Sequence, residues 1–175
     1  VLFLFLSAMF GIVLSNDLTW MYFCWELTTL CSFLLIGYTR TKEARNNSFR
    51  ALLINLGGGV AFAAGIIFIC VYYKTLELSV VTSMKPEAAM MIPVFFLSLA
   101  ALTKSAQLPF SSWLLGAMVA PTPSSALLHS ATMVKAGVYL IIRLAPLLGA
   151  TPVGKTVTFV GGITFLACSL MAISQ

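Results

Sequence analysis

Charge is scarce in this sequence. Only 9% of its 175 residues are Asp, Glu, Lys or Arg, where a soluble domain carries about a quarter. A soluble globular surface is therefore excluded for most of the chain, and lipid is the expected solvent. There is a single histidine, and none of the four cysteines (Cys24, Cys31, Cys70, Cys168) forms a Cys-x-x-Cys pair or has a histidine beside it. That excludes a disulfide framework, an iron–sulfur spacing and a cysteine-based metal site, and leaves the thiols as small packing groups. No strand pattern and no short internal repeat occur. A phosphate loop is absent too, because the glycine run in NLGGGVAFAAG lacks both a preceding strand and a following Lys-Ser/Thr. No initiator methionine stands at Val1, and both ends lie inside apolar runs, so the chain reads as an internal fragment of a longer protein with no assessable signal segment.

What is present is grease. The chain is 60% hydrophobic with a mean hydropathy of +1.02. At roughly 20 apolar residues per crossing, the expected spans are about 1–15, 18–37, 48–73, 88–119, 123–145 and 156–175. They are apolar all round. The fold class is all-α, a polytopic transmembrane helix bundle of about six spans in one transmembrane domain, 1–175.

The net charge of +5 is spread over loops and helix interiors, which reads as membrane topology and gives no nucleic-acid face. The segment YTRTKEARNNSFR has Arg40, Lys42, Arg45 and Arg50 against Glu43 alone, placing that loop on the cytoplasmic side. Lys74 and Lys85 balanced by Glu77 and Glu87 suit the opposite side, whereas Arg143 and Lys155, also expected outside, speak against it. In the third span Gly57, Ala61 and Gly65 recur every four residues and should let a neighbouring helix approach closely.

Four ionisable residues lie well inside spans: Glu26, Lys104, His129 and Lys135. Such groups cost about 2.5–3.5 kcal/mol at a helix centre and usually line ion or proton paths. The bland alternative is that Glu26 and Lys104 form a buried pair fixing helix packing, with little net stability, and that His129 is a hydrogen-bonded packing residue. The fourth span argues for more. From Ala88 to Met118 one straight helix would run about 46 Å, against a hydrocarbon core of about 30 Å. It should break near 105–109, where Pro109 removes a helical hydrogen bond and clashes with the carbonyl of Ser105. Freed backbone groups at that depth need protein or water partners, and discontinuous helices mark transporter sites. Lys104 thus sits at a polarised break with Ser105 and Gln107 as added hydrogen-bonding groups. In the next span Thr122 suits an N-cap, with Pro123 in the first turn. His129, Thr132 and Lys135 follow three apart, so that Thr132 or water would bridge the roughly 9 Å between imidazole and ammonium.

WELTTLCSFLLIG, TKSAQLPFSSWLLGAM and APTPSSALLHSATMVKAGVYLIIR, in this order and spacing, resemble the antiporter-like membrane subunits. That family includes subunit 5 of the NADH:quinone oxidoreductases (complex I), the A-type subunit of Mrp sodium/proton antiporters, and subunits of membrane-bound hydrogenases. The resemblance implies the first half of an inverted-repeat transporter fold: the fourth to eighth helices and part of the ninth, with one broken helix. It matches Glu26 to the glutamate of the fifth helix, Lys104 to the lysine of the broken seventh and His129 to the histidine of the eighth. Lys135 falls where the eighth helix often carries a lysine, a feature more typical of Mrp-like and hydrogenase-like members. The implied function is a proton-translocating subunit of a respiratory complex of the NADH:quinone oxidoreductase type, or a related hydrogenase, driven by electron transfer in partner subunits. Two alternatives are the A-type subunit of an Mrp sodium/proton antiporter and a structural subunit without transport. The implied partners are other membrane subunits, protons (or sodium) and the bilayer of a prokaryotic inner membrane. No cofactor and no metal are expected, and no redox site lies in this chain.

Overall fold

The computed structural model describes residues 1–85, 87–128, 132–149 and 151–173. Its helices, in order, are α1 Leu2–Leu14, α2 Leu18–Ile36, α3 Lys42–Tyr73, α4 Leu78–Ser83, α5 Met91–Lys104, α6 Ser112–Gly116, α7 Thr122–Ala126, α8 Met133–Leu148 and α9 Pro152–Ile173. A single 3-10 turn follows α2 and another leads into α5. Among the described residues, the segments Leu18–Thr39, Lys42–Tyr73 and Pro152–Ile173 are long and apolar enough to cross a membrane, while Leu2–Leu14 and Ala88–Lys104 are shorter apolar helices.

Local chemistry moves several boundaries from where hydropathy puts them. The basic segment expected as a loop is the start of α3: Thr41 caps it by accepting from the Ala44 amide at 3.1 Å, with Glu43 in the first turn, an arrangement that satisfies an orphan donor and suits the helix dipole. Asp17 caps α2 in the same way, accepting from Trp20 at 2.8 Å. The expected loop after α3 contains α4. The expected continuous helix over 123–145 is corrected: Thr132 has φ −136° and ψ −70°, and its hydroxyl donates to the Leu127 carbonyl, so the helical ladder is interrupted before α8 begins.

Large apolar side chains lie on the outside as well as the inside. Phe3, Leu14, Phe165 and Ile173 are exposed, while Trp25, Phe62, Leu97 and Trp113 are buried. Burial of apolar area then contributes little to helix association, and close packing and hydrogen bonds must supply it. Glycine allows the closest approach. A Cβ at Gly58 would collide with Thr103, one at Gly59 with the Glu26 carboxylate, and one at Gly65 with Leu97. Gly57, expected on that face, meets nothing within 4 Å. Ala61 and Gly65 are buried as expected, and Gly58 takes the place expected of Gly57.

At one end of the bundle, two connections and α8 are stitched together. The Leu18 amide donates to Leu76 O and the Leu78 amide to Asn16 O, while Asn16 Nδ2 donates to Ser79 Oγ at 2.8 Å. From α8, Tyr139 donates to the Val13 carbonyl at 2.8 Å, and Arg143 donates to both Tyr139 Oη and Asn16 Oδ1.

Candidate functional site

The fourth apolar segment is broken as its length and proline require, and the break is a helix C-cap of a recognisable kind. α5 ends at Lys104, Ala106 is left-handed at φ 54°, its amide donates to Thr103 O, and the Gln107 amide donates to Leu102 O. Those two bonds with a left-handed residue between them are a Schellman motif, in which glycine is the usual occupant; here it is alanine. The helix has already terminated before Pro109 could disturb it. Two further polar groups at the break find protein partners. Trp113 Nε1 donates to Thr103 O at 3.1 Å, and the Leu108 amide donates to Thr164 Oγ1 of α9 at 3.0 Å. Ser105 and Gln107 serve the break itself, through Ser105 Oγ to Leu102 O and Gln107 Nε2 to Ser105 O; among the described residues neither is hydrogen-bonded to Lys104.

Lys104 points from the end of α5 into α2 and is only 1% exposed. Its Nζ donates to Trp25 O at 3.1 Å and to Thr29 Oγ1 at 2.7 Å, and lies 5.0 Å from the centroid of the Trp25 ring. Trp25 is held in turn against Phe62 of α3, with ring centroids 5.2 Å apart. Glu26, the next residue of α2, is half-buried and faces Gly59 of α3. Among the described residues no carboxylate lies within ion-pair distance of Lys104, yet Glu26 is close enough to interact with it electrostatically. The direct pair expected from opposite charges is therefore replaced by a cradle: a carbonyl, a hydroxyl and an indole face receive the ammonium. The Glu26 Oε1 atom is buried without a hydrogen-bond partner, as is Oδ1 of Asn55, one helical turn from Gly59.

Lys135 does not join this group. It is exposed and lines, with Phe10, Val13, Thr132 and Tyr139, a groove of about 340 Å³ between α1 and α8. The opposite side of α8 presses Gly137 against Ala101 O and Ser105, so α8 abuts the break while turning its lysine away. Thr132, expected to bridge imidazole and ammonium, is committed to Leu127 O at 2.7 Å. His129 lies outside the described residues.

Sequence reasoning missed Thr29, Trp25, Thr103, Trp113, Thr164, Asn55 and Gly59. Thr29 had a signal, standing three residues after Glu26 on the same face of a helix. The rest depend on contacts between distant segments that spacing cannot reveal.

The pattern of the family described as "NADH:quinone oxidoreductase/Mrp antiporter, TM" matches residues 15–175. A Staphylococcus epidermidis protein named "Putative antiporter subunit mnhA2" is 44% identical over 99% of this chain and 22% of its own length. A Staphylococcus aureus protein of the same name is 43% identical over 98% and 22%. A chain in the structure of the Mrp complex from Dietzia sp. DQ12-45-1b superposes with a TM-score of 0.81 at 40% identity, over 88% of this chain and 17% of that one. A chain of a membrane-bound sulfane sulfur reductase, an archaeal respiratory membrane complex, shares the fold with a TM-score of 0.80 at 21% identity, over 89% and 32%. The present chain spans about a fifth of the length of the curated relatives it matches. It belongs to the NADH:quinone oxidoreductase/Mrp antiporter transmembrane family, as an antiporter-like integral membrane subunit of the Mrp and complex I type.

Proposed function

We propose that this chain is part of the A-type subunit of an Mrp antiporter and that Lys104 carries a proton within it, with Glu26 as its electrostatic partner. The family match admits both readings, and the antiporter one is favoured by relatives at 40–44% identity, against 21% for the respiratory reductase. The observation that carries the reading is the Lys104 cradle at the helix break. An ammonium has three N–H donors and a neutral amine two. The cradle supplies two acceptors, Trp25 O and Thr29 Oγ1, so both protonation states can keep the same two hydrogen bonds. They differ in charge and at the third position, an N–H in one and a lone pair in the other, and Glu26 is the charged neighbour placed to bias that balance. Movement of Glu26 towards or away from Lys104 would bias the amine towards holding or releasing a proton without rebuilding the site. Electrostatic control of this kind needs no redox group in the chain.

Lys135 and His129 extend the proposed path. Lys135 faces the groove beside α1, and an ammonium at membrane depth requires protein or water around it. The rest of the assembly would provide that cover.

Ion uptake into vesicles containing the assembled antiporter, with sodium or proton gradients imposed and no electron donor present, tests the reading. Lys104→Ala should lose transport while assembly persists, and Lys104→Ala with Glu26→Gln should stay inactive. Near-normal uptake by the double variant would decide for a structural pair. Uptake by the wild type only with an electron donor would decide for the respiratory alternative.

A further inference from the structure

The basic end of α3 carries chemistry that ion movement through Lys104 does not use. Between residues 40 and 50 stand Arg40, Lys42, Arg45 and Arg50, all exposed, against the single acid Glu43. α3 is 32 residues long, about 48 Å by helical rise, so it exceeds the roughly 30 Å hydrocarbon core by several turns. Its polar first turns therefore lie in the headgroup zone. There a groove of about 350 Å³ opens between the end of α2 and the start of α3, lined by Arg40, Arg45, Phe33, Leu34 and Phe49 among others. Phe33 and Phe49 meet edge to face with centroids 5.2 Å apart, giving the groove an apolar floor, and Leu34 is exposed beside them. Arg40 is set at the rim by its left-handed backbone, φ 56°, which ends the 3-10 turn. Among the described residues neither the Arg40 nor the Arg45 guanidinium has a hydrogen-bond or ion-pair partner.

We propose that this groove binds an anionic phospholipid, its phosphate between Arg40 and Arg45 and an acyl chain along Phe33, Leu34 and Phe49. Two unpartnered forks suit a phosphate diester, which each guanidinium can grip through paired N–H donors. The apolar floor continues from them towards the hydrocarbon, which a free anion would leave unfilled. Basic pockets between transmembrane helices are the usual receivers of such headgroups. This inference does not rest on the proposed antiporter activity.

The test uses the purified assembled complex, delipidated and titrated with phosphatidylglycerol or phosphatidylcholine, with bound lipid counted by native mass spectrometry. The wild type should retain at least one phosphatidylglycerol in preference to phosphatidylcholine. Arg40→Gln with Arg45→Gln should weaken that retention about thirtyfold, at about 1 kcal/mol per basic residue near the surface. Arg40→Lys with Arg45→Lys should keep the charge but lose the paired N–H grip, leaving retention between that of the wild type and that of the glutamine variant. Equal retention by the glutamine variant, equal affinity for phosphatidylcholine, or displacement by inorganic phosphate would each overturn the proposal. A photoactivatable phosphatidylglycerol provides a check that needs no variant: in the wild-type complex it should label the peptide spanning residues 33–49. Labelling confined to other segments, as when another protein segment fills the groove, would also overturn it.

Discussion

Ala106 holds a conformation that L-residues other than glycine reach at a cost of roughly 1–2 kcal/mol, and it does so at the point where α5 must stop. Ala106→Gly should therefore stabilise the purified assembly by up to about 1 kcal/mol, read as a higher midpoint of thermal unfolding. Ala106→Val should lose at least about 1 kcal/mol, because a β-branched side chain fits this backbone poorly. Equal midpoints for all three would mean that the turn relaxes freely. Thr29 presents the complementary case, where a hydroxyl matters for what it accepts. Thr29→Val preserves shape but leaves the Lys104 ammonium with the Trp25 carbonyl alone. Loss of a hydrogen bond to a buried charge costs about 1–3 kcal/mol, so uptake should fall about tenfold in vesicles while assembly is retained. Undiminished uptake would remove Thr29 from the proposed cradle.

At the scale of elements, the break was legible because two independent signals met on one segment, excess length and an internal proline. Its mechanism was not, because the residue that carries the turn is an alanine, which no rule of turn composition singles out. Burial of Lys104 was legible from its apolar neighbours, but its partners were not: opposite charge pointed to Glu26, whereas the nearest acceptors are a neighbouring carbonyl and a hydroxyl. The even spacing of Thr132 and Lys135 was read on one continuous helix, and the non-helical backbone of Thr132 removes that premise. Thr164 was invisible in the sequence, one threonine among several in an apolar helix. It now anchors the break to α9, accepting from Leu108 and donating to Val160 O. Thr164→Val should strand the Leu108 amide and cost about 1–3 kcal/mol of stability, while Thr164→Ser should be nearly neutral. Calorimetry on the purified assembly separates the two, and an unchanged melting temperature for the valine variant would show that another group receives the amide.

For the whole molecule, the apolar exterior and the exposed Lys135 belong to a segment about a fifth as long as its relatives. If the proposed path continues through Lys135, the groove beside α1 is covered in the assembly. A Lys135→Cys variant should then react with a membrane-permeant maleimide at least about tenfold more slowly in the assembled complex than in detergent-dissociated subunits, by analogy with the protection that closed sub-structures give. Equal labelling rates would place Lys135 outside the path.

The hydrogen-bonded stitch joining the α1–α2 turn, the connection before α4 and the Tyr139–Arg143 pair of α8 lies about 15 Å along α2 from the Lys104 cradle by helical rise. Helices fastened at one end and packed through glycines further along act as levers with a common fulcrum. A small tilt about that fulcrum would leave the stitched end in place and displace the middle of α2, where Glu26 meets Gly59 and Lys104 of α5 reaches in. Because Lys104 belongs to α5, which the stitch does not hold, such a tilt would change the separation of carboxylate and ammonium, and with it the local potential, without unfolding any helix.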